Sequence, residues 1–401
     1  EGVPAEARRL LEVLAVSGRP RALASAARAA GIEKDVQGVL AKLRAETLVR
    51  TRGAEARDEI EIYHDRIREV VVDSLEPEQL KGLHRKLGRV LSSTGDADAE
   101  ALAQHFSAAE ERDLAAEYAV KAADRAAAAR AFTRAAEMYE MAIDLTSTLG
   151  RSDDGLIIKL AEALVSAGRG RDAAERFIQA AGQASPVDSL ELRRRAAEQL
   201  LFSGHIDQGL RVVDEILGAM KMSAPTTPLG AVLSLVWRRF VLFLRGFGFR
   251  ETSTDAIPRD RLVRIDICFS LGLGLGMVDP IRGADFQTRY LLLALGVGEP
   301  VRIAKGLALE AAYRAADGVR SRPVIERLLG KSAALAERVG QSHAVALTTL
   351  MSGVARVLLA DYDKAIKLCD QAHTELREKC TGVAWELDNA AFFAGFSLLH
   401  C

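Results

Sequence analysis

The chain has 401 residues, with 54 Lys and Arg against 55 Asp and Glu, 49% hydrophobic residues and only 5% aromatic. That length is too great for one compact core and predicts two or three units, or one extended array of repeats. A net charge of −1 excludes the global basic excess of a dedicated nucleic-acid binder. Ala, Leu, Arg and Glu dominate and β-branched runs are short, so the fold class is mainly α.

In chain order, residues 1–75 have a mixed pattern. Pro4 opens a helix in which Ala7, Leu10, Leu11 and Leu14 recur at helical spacing until Gly18-Arg19-Pro20 stops it. A second helix is predicted over 21–30 and a third over 33–45, carrying Val36, Val39, Leu40 and Leu43. The period then changes. Residues 48–52 and 59–63 alternate apolar and polar side chains around a turn at 53–58, as the strands of a hairpin do. Three helices followed by a hairpin are the parts of a winged helix. Helical spacing returns at His64-Asp65-Arg66-Ile67, with Asp65 expected to cap the new helix.

Residues 76–401 show no convincing strand, and their self-similarity has a period in the thirties, which predicts a tetratricopeptide-like α-solenoid. The clearest copy reads Leu160, Ala161, Leu164, then Gly168, Ala173, Phe177 and Ala180. A large and a small residue on the first helix, a tight turn, and a small residue at the crossing let two antiparallel helices approach closely. Other copies contain Leu200, Gly209, Val213 and Ile216; Phe132, Ala135, Tyr139 and Ala142; and Gly353, Tyr362, Ala365, Cys369 and Ala372. Between 225 and 300 the repeat is degenerate and predicts an irregular pair of helices inside the array. Its most apolar stretch, 229–249, is interrupted by Arg238, Arg239 and Arg245. Three arginines near the middle of a span are costly in lipid, so this stretch reads as a buried or partner-facing helix. The last segment, 384–401, looks like the first helix of a further repeat. With Glu1 in place of a methionine, it is expected that both ends are cut from a longer protein.

Chemical motifs are scarce. Gly330-Lys331-Ser332 lacks the first glycine of a phosphate-binding loop, because Ile325 stands there. Gly272, Gly274 and Gly276 have the wrong spacing for a dinucleotide fingerprint and point to close helix packing or a kink. Cys268, Cys369, Cys380 and Cys401 form no CxxC pair, so neither a zinc site nor a disulfide framework is expected, and a reducing cytoplasm is. Asp153-Asp154 and Glu110-Glu111 fall at turns, where solvated loops are expected. No catalytic residue and no metal ligand is predicted. Residues 1–75 balance thirteen Lys and Arg with thirteen Asp and Glu, which argues against duplex DNA as a partner. Tyr63-His64-Asp65 is the one element with a chemical reading. A histidine at a helix start can donate a hydrogen bond to an anion such as a nucleotide phosphate.

The winged-helix pattern, the run 63–69, Leu83-His84-Arg85, Leu102-Ala103-Gln104-His105-Phe106 and the helical repeats together resemble the C-terminal half of bacterial STAND-type signalling AAA ATPases. Segments 282–287 and 380–388 are similar to the subgroup in which a serine/threonine protein kinase precedes the ATPase. The resemblance implies an ATPase core upstream of the winged helix, holding ATP or ADP with Mg, and a repeat arm that senses a protein or peptide ligand. Tyr63-His64-Asp65 is similar to the Met-His-Asp element of such switches, with Tyr in place of Met. By that resemblance His64 is the nucleotide-binding residue of this chain. The segment alone is expected to have no enzymatic activity and no cofactor, and to act through its intramolecular ATPase core and kinase domain, away from any membrane. A regulatory arm of a STAND transcription activator and a stand-alone helical scaffold are the alternatives.

Overall fold

The computed structural model describes residues 4–52, 59–94, 98–150, 153–223, 225, 227–276 and 278–401. It divides into two compact units, Glu1–Leu156 and Ile157–Cys401.

The first unit opens with α1 (Ala5–Ser17), β1 (Arg21–Ala22), α2 (Leu23–Ala30), α3 (Val36–Ala45), β2 (Val49–Arg52), β3 (Glu59–Ile62) and α4 (Asp65–Asp73). The strands form one antiparallel sheet in the order β1-β3-β2, with Arg21 opposite Ile60 and Val49 opposite Ile62. The predicted hairpin strands are present, and the turn predicted at 53–58 lies outside the described residues. Three expectations need correction. Residues 21–22 were expected to be helical but pair as an edge strand, because β3 offers them main-chain partners that two residues after Pro20 could not find locally. The third helix starts at Val36, not at 33, since Asp35 takes a left-handed φ of 50° and its carboxylate accepts the Gly38 N–H at 3.1 Å. The cap of α4 is His64 and not Asp65, which is the first helical residue.

Four further helices complete this unit: α5 (Pro77–Thr94), α6 (Ala99–Ala108), α7 (Arg112–Ala128) and α8 (Phe132–Thr148). Leu10, Leu14, Leu43 and Ile60 share one buried cluster with Leu87, Leu91, Leu102 and Phe106, so the sheet-bearing part and helices α5 and α6 have a common core. Ala115, Ala119 and Ala123 on α7 and Ala135 and Ala142 on α8 are fully buried, which is the small-residue crossing the sequence predicts.

The second unit begins within α9 (Asp154–Ser166) and continues with α10 (Gly170–Ala181), α11 (Pro186–Phe202), α12 (Ile206–Ala219) and α13 (Pro228–Arg245). It then runs through α14 (Arg259–Gly276), α15 (Pro280–Val297), α16 (Pro300–Ala315), α17 (Arg322–Val339), α18 (Ser342–Leu358), α19 (Tyr362–Lys379) and α20 (Ala384–Leu398). From α10 to α12 and from α14 to α20 each helix packs on the next, and α11 also meets α14, α16 meets α18, and α18 meets α20. The protein is mainly α and its helices form a solenoid of repeats. In the copies read from the sequence, Leu160, Ala161, Ala173, Phe177, Ala365, Cys369 and Ala372 are fully buried.

The degenerate stretch differs from expectation. It holds a regular pair, α14 and α15, and one extra helix, α13, laid on α15. What binds α13 there is charge: Arg238 Nε meets Asp285 Oδ1 at 3.0 Å, Ser234 donates to the same oxygen at 2.8 Å, and Arg239 pairs with Glu310. Both acids are fully buried. The glycines pack helices closely, as one of their two readings held. A Cβ on Gly283 would lie 2.8 Å from the Gly276 backbone, and one on Gly272 would lie 3.2 Å from that of Gln287. Gly330-Lys331-Ser332 is inside α17, where Ser332 Oγ donates to the Ala304 carbonyl at 2.8 Å.

Gly283→Ala must therefore part α14 from α15, and is expected to lower stability by about 1–3 kcal/mol. Gly330→Ala, at an exposed helical glycine whose added Cβ meets nothing, is expected to raise it by about 0.5–1 kcal/mol. Urea unfolding of the two variants checks both signs.

Candidate functional site

His64 stands where β3 hands over to α4. The Tyr63 N–H donates to the Leu48 carbonyl at 3.0 Å and so holds the strand end in place. His64 itself is extended, at φ −145° and ψ 138°, while its carbonyl accepts the Ile67 N–H at 2.9 Å. Its Nδ1 accepts the Arg66 N–H at 3.2 Å. A ring nitrogen that accepts carries no proton, so in the neutral ring the proton sits on Nε2. The imidazole is exposed, as are Asp65, Arg66 and Arg68 around it. The local structure thus presents one N–H donor beside the positive end of a nine-residue helix.

The other runs singled out in the sequence come together in the same unit, but as packing. His84 on α5 and His105 on α6 share a hydrogen bond, Nδ1 to Nδ1 at 2.9 Å. Phe106 lies under Gly88, where a Cβ would be 2.9 Å from its ring. Arg85 and Arg89 both pair with Glu111, and Lys81 pairs with Glu110 at 2.9 Å, so these turn acids are ion-pair partners. Burial lowers both histidines. For His105, with His84, Arg21 and Arg19 adding repulsion, the pKa falls to about 3.

A second set of side chains, with no site role assigned from sequence although Phe177, Gly382, Trp385 and Glu386 lie in stretches singled out there, lies in the second unit. Arg194 on α11 is held between Glu191, at 2.6 Å, and Glu198, and donates also to Ser270 of α14. Arg302 on α16 forks onto Asp266 of α14, with Nε to Oδ1 at 2.8 Å. His343 Nε2 meets Glu386 Oε1 at 2.9 Å and ties α18 to α20. Lys305 on α16 lies with its ammonium 5.4 Å from the centre of the Phe269 ring. Burial pushes its pKa down, against the pull of Asp266, Glu386 and Glu198. Trp385 stacks on Phe202 at 4.6 Å. Beside this network a polar cleft of about 280 Å³ is lined by Glu162, Ser166, Phe177, Arg195, Gln199 and Gly382. Arg195 donates to Glu162 at 3.0 Å and covers the Phe177 ring at 4.3 Å. A lining with both signs of charge and neutral donors and acceptors beside them suits an extended peptide better than a phosphate. Among the described residues no group of three or more His, Cys, Asp or Glu is placed to hold a metal ion, and no helix is long and apolar enough to cross a membrane.

No family model matches the sequence, and no curated protein matches it. Among solved structures, the chain is similar to a signal transduction ATPase with numerous domains (STAND) that has a tetratricopeptide repeat sensor, from Pyrococcus horikoshii. Identity is 11% and the TM-score 0.37, over 98% of this chain and 54% of that one. This chain thus spans about half the length of that protein, and at such distance no residue role transfers.

The histidine pair has a consequence for stability. Burial disfavours the charged form of both rings in the folded chain, most strongly for His105, whereas an unfolded histidine takes up a proton near pH 6.5. Below that pH the unfolded chain binds protons that the folded one refuses, so stability falls as pH drops from about 7 towards about 3. For His105 the loss at pH 5 is about 2 kcal/mol. Urea midpoints of the first unit at pH 7 and pH 5 are expected to show it, and His105→Gln is expected to flatten the difference.

Proposed function

We propose that the chain is the regulatory and interaction region of a cytoplasmic STAND-type signalling ATPase. Residues 1–75 are its winged helix, and the helical repeats are the arm that senses a protein or peptide ligand. The observation that carries this reading is the hydrogen bonding of His64. Because Nδ1 caps α4, Nε2–H is left to donate outward, which is what a contact to the phosphate of ADP requires. The rest of the nucleotide pocket, with its Mg, belongs to an ATPase core upstream of residue 1.

In that switch ADP bridges the core and the winged helix, and its exchange for ATP removes contacts that favour the closed state. A ligand on the arm shifts the same equilibrium if it binds one state better than the other. The mixed-charge cleft beside α11 is the place we assign to it, since Arg195, Glu162 and Gln199 offer donors and acceptors side by side. The output we assign is a serine/threonine protein kinase preceding the core, on the likeness of segments 282–287 and 380–388 to that subgroup.

His64→Ala in the full-length protein is expected to weaken ADP retention about tenfold, the value of one charge-assisted hydrogen bond, and to raise basal autophosphorylation. Bound ADP is read after gel filtration. Unchanged occupancy and unchanged output in a folded variant would remove the assignment, and a parent reading frame with no kinase catalytic loop would remove the kinase alone.

A further inference from the structure

α13 is turned inside out relative to an ordinary surface helix. Its arginines face the protein: Arg238 and Arg239 reach the buried Asp285 and Glu310, and Arg245 donates to the carbonyls of Leu295, at 2.8 Å, and Gly248, at 2.9 Å. Apart from the buried Ala231 and Leu242, most of its large apolar residues face water. Leu229, Leu233, Val236, Trp237, Phe240 and Leu244 are all at least half exposed, Trp237 at 64%. With Phe243, at 78%, they offer on the order of 800 Å² of apolar surface, about what each partner contributes to a standard stable interface and more than a monomer ordinarily leaves open.

The order of these residues says what covers them. About a point midway between Val236 and Trp237, Leu229 mirrors Leu244, Leu233 mirrors Phe240, and Val236 mirrors Trp237. A stripe with that symmetry is its own complement when two copies of the helix lie antiparallel across a two-fold axis, which is the requirement of an isologous contact. Large residues then meet smaller ones, Trp237 over Val236 and Phe240 over Leu233. A lipid surface fits less well, because an interfacial helix carries lysine and arginine heads around its apolar face, and on α13 Arg238 and Arg239 point inward into pairs while Arg245 is bound to main-chain carbonyls. We propose that α13 is a homodimer interface, with two copies of this chain joined by antiparallel α13 helices about an axis between Val236 and Trp237.

The test is sedimentation of the 401-residue protein at micromolar concentration, together with cysteine cross-linking. Twice the chain mass is expected for the wild type and the single mass for Phe240→Glu, whose helical circular-dichroism spectrum is retained because in the single chain this side chain touches no core, while its melt loses the part of the stability that comes from association. Cross-linking fixes the register in a Cys401→Ser background, which leaves only the buried Cys268, Cys369 and Cys380. Val236→Cys is expected to form a disulfide with its own copy. Leu229→Cys alone is expected to form none, whereas Leu229→Cys combined with Leu244→Cys links two chains. A monomeric wild type, a Phe240→Glu protein that stays dimeric, cross-linking by Leu229→Cys alone, or co-sedimentation of a monomer with anionic phospholipid vesicles would each overturn the proposal.

Discussion

Two antiparallel helices come close only where neither presents more than a methyl group at the crossing, and both units are built on that constraint. It explains the alanine excess and the shortage of aromatic residues together. Where α7 meets α8 the fully buried residues include Ala115, Ala119, Ala123, Ala135 and Ala142, and where α18 meets α19 Gly353 faces Cys369, whose Sγ is only 2.6 Å from where a Cβ on Gly353 would be. Larger residues such as Phe177 and Tyr139 are placed about one turn from the crossing, where the helices diverge and leave room. Chain length then follows from local packing: each pair is stabilised by its neighbours, and adding pairs enlarges the array without demanding one larger core.

Such packing is unspecific by itself, since one alanine crossing is much like another. Specificity in the second unit comes from charge. Asp285 and Glu310 are fully buried; Asp285 would be left as an uncompensated ion if Arg238 moved away, a loss of about 3–5 kcal/mol for a buried pair broken on one side, whereas Glu310 would lose Arg239 and keep Arg314. That penalty admits only one seat for α13. Asp266 with Arg302, Glu198 with Arg194 and Ser270, and His343 with Glu386 act in the same way across α11, α14, α16, α18 and α20. A helical array that would otherwise slide is held in one register by pairs whose partners are far apart in sequence.

This division of labour also decides what could be read from the sequence. Crossings depend on residues three to forty positions apart, so Leu160, Ala173, Phe177, Ala365 and Cys369 were legible as a repeat and are buried as expected. The hairpin strands were legible because a period of two is local. A two-residue edge strand at Arg21–Ala22 has no period at all, and the helix starts at Asp35 and His64 turn on φ and on which side chain reaches a backbone N–H. The position of His64 at a helix start was readable, but the use of its Nδ1 was not. Least legible was the polar network. Glu191-x-x-Arg194-x-x-x-Glu198 is spaced like an exposed, self-paired helix face, and only the approach of Ser270 from α14 distinguishes it. Segments 282–287 and 380–388 contain Asp285, Trp385 and Glu386, whose buried charge or ring stacking is fixed by partners distant in sequence.

The same reasoning accounts for the inversion of α13. A surface helix normally hides apolar residues and turns its charges to water, and this helix cannot do so, because the surface it sits on already contains two buried carboxylates. Hydrogen-bond donors and cations must face them, and α13 supplies Ser234, Arg238 and Arg239. With Arg238 and Arg239 committed inward, only Ala231 and Leu242 of α13 are buried against the protein, and its ion pairs supply much of what holds it. The apolar residues that remain, Leu233, Val236, Trp237 and Phe240 among them, are therefore the outer face, and their surface is excluded from water only by something outside the chain. The buried acids of α15 and α16 and the exposed stripe of α13 are two consequences of one choice of charge placement.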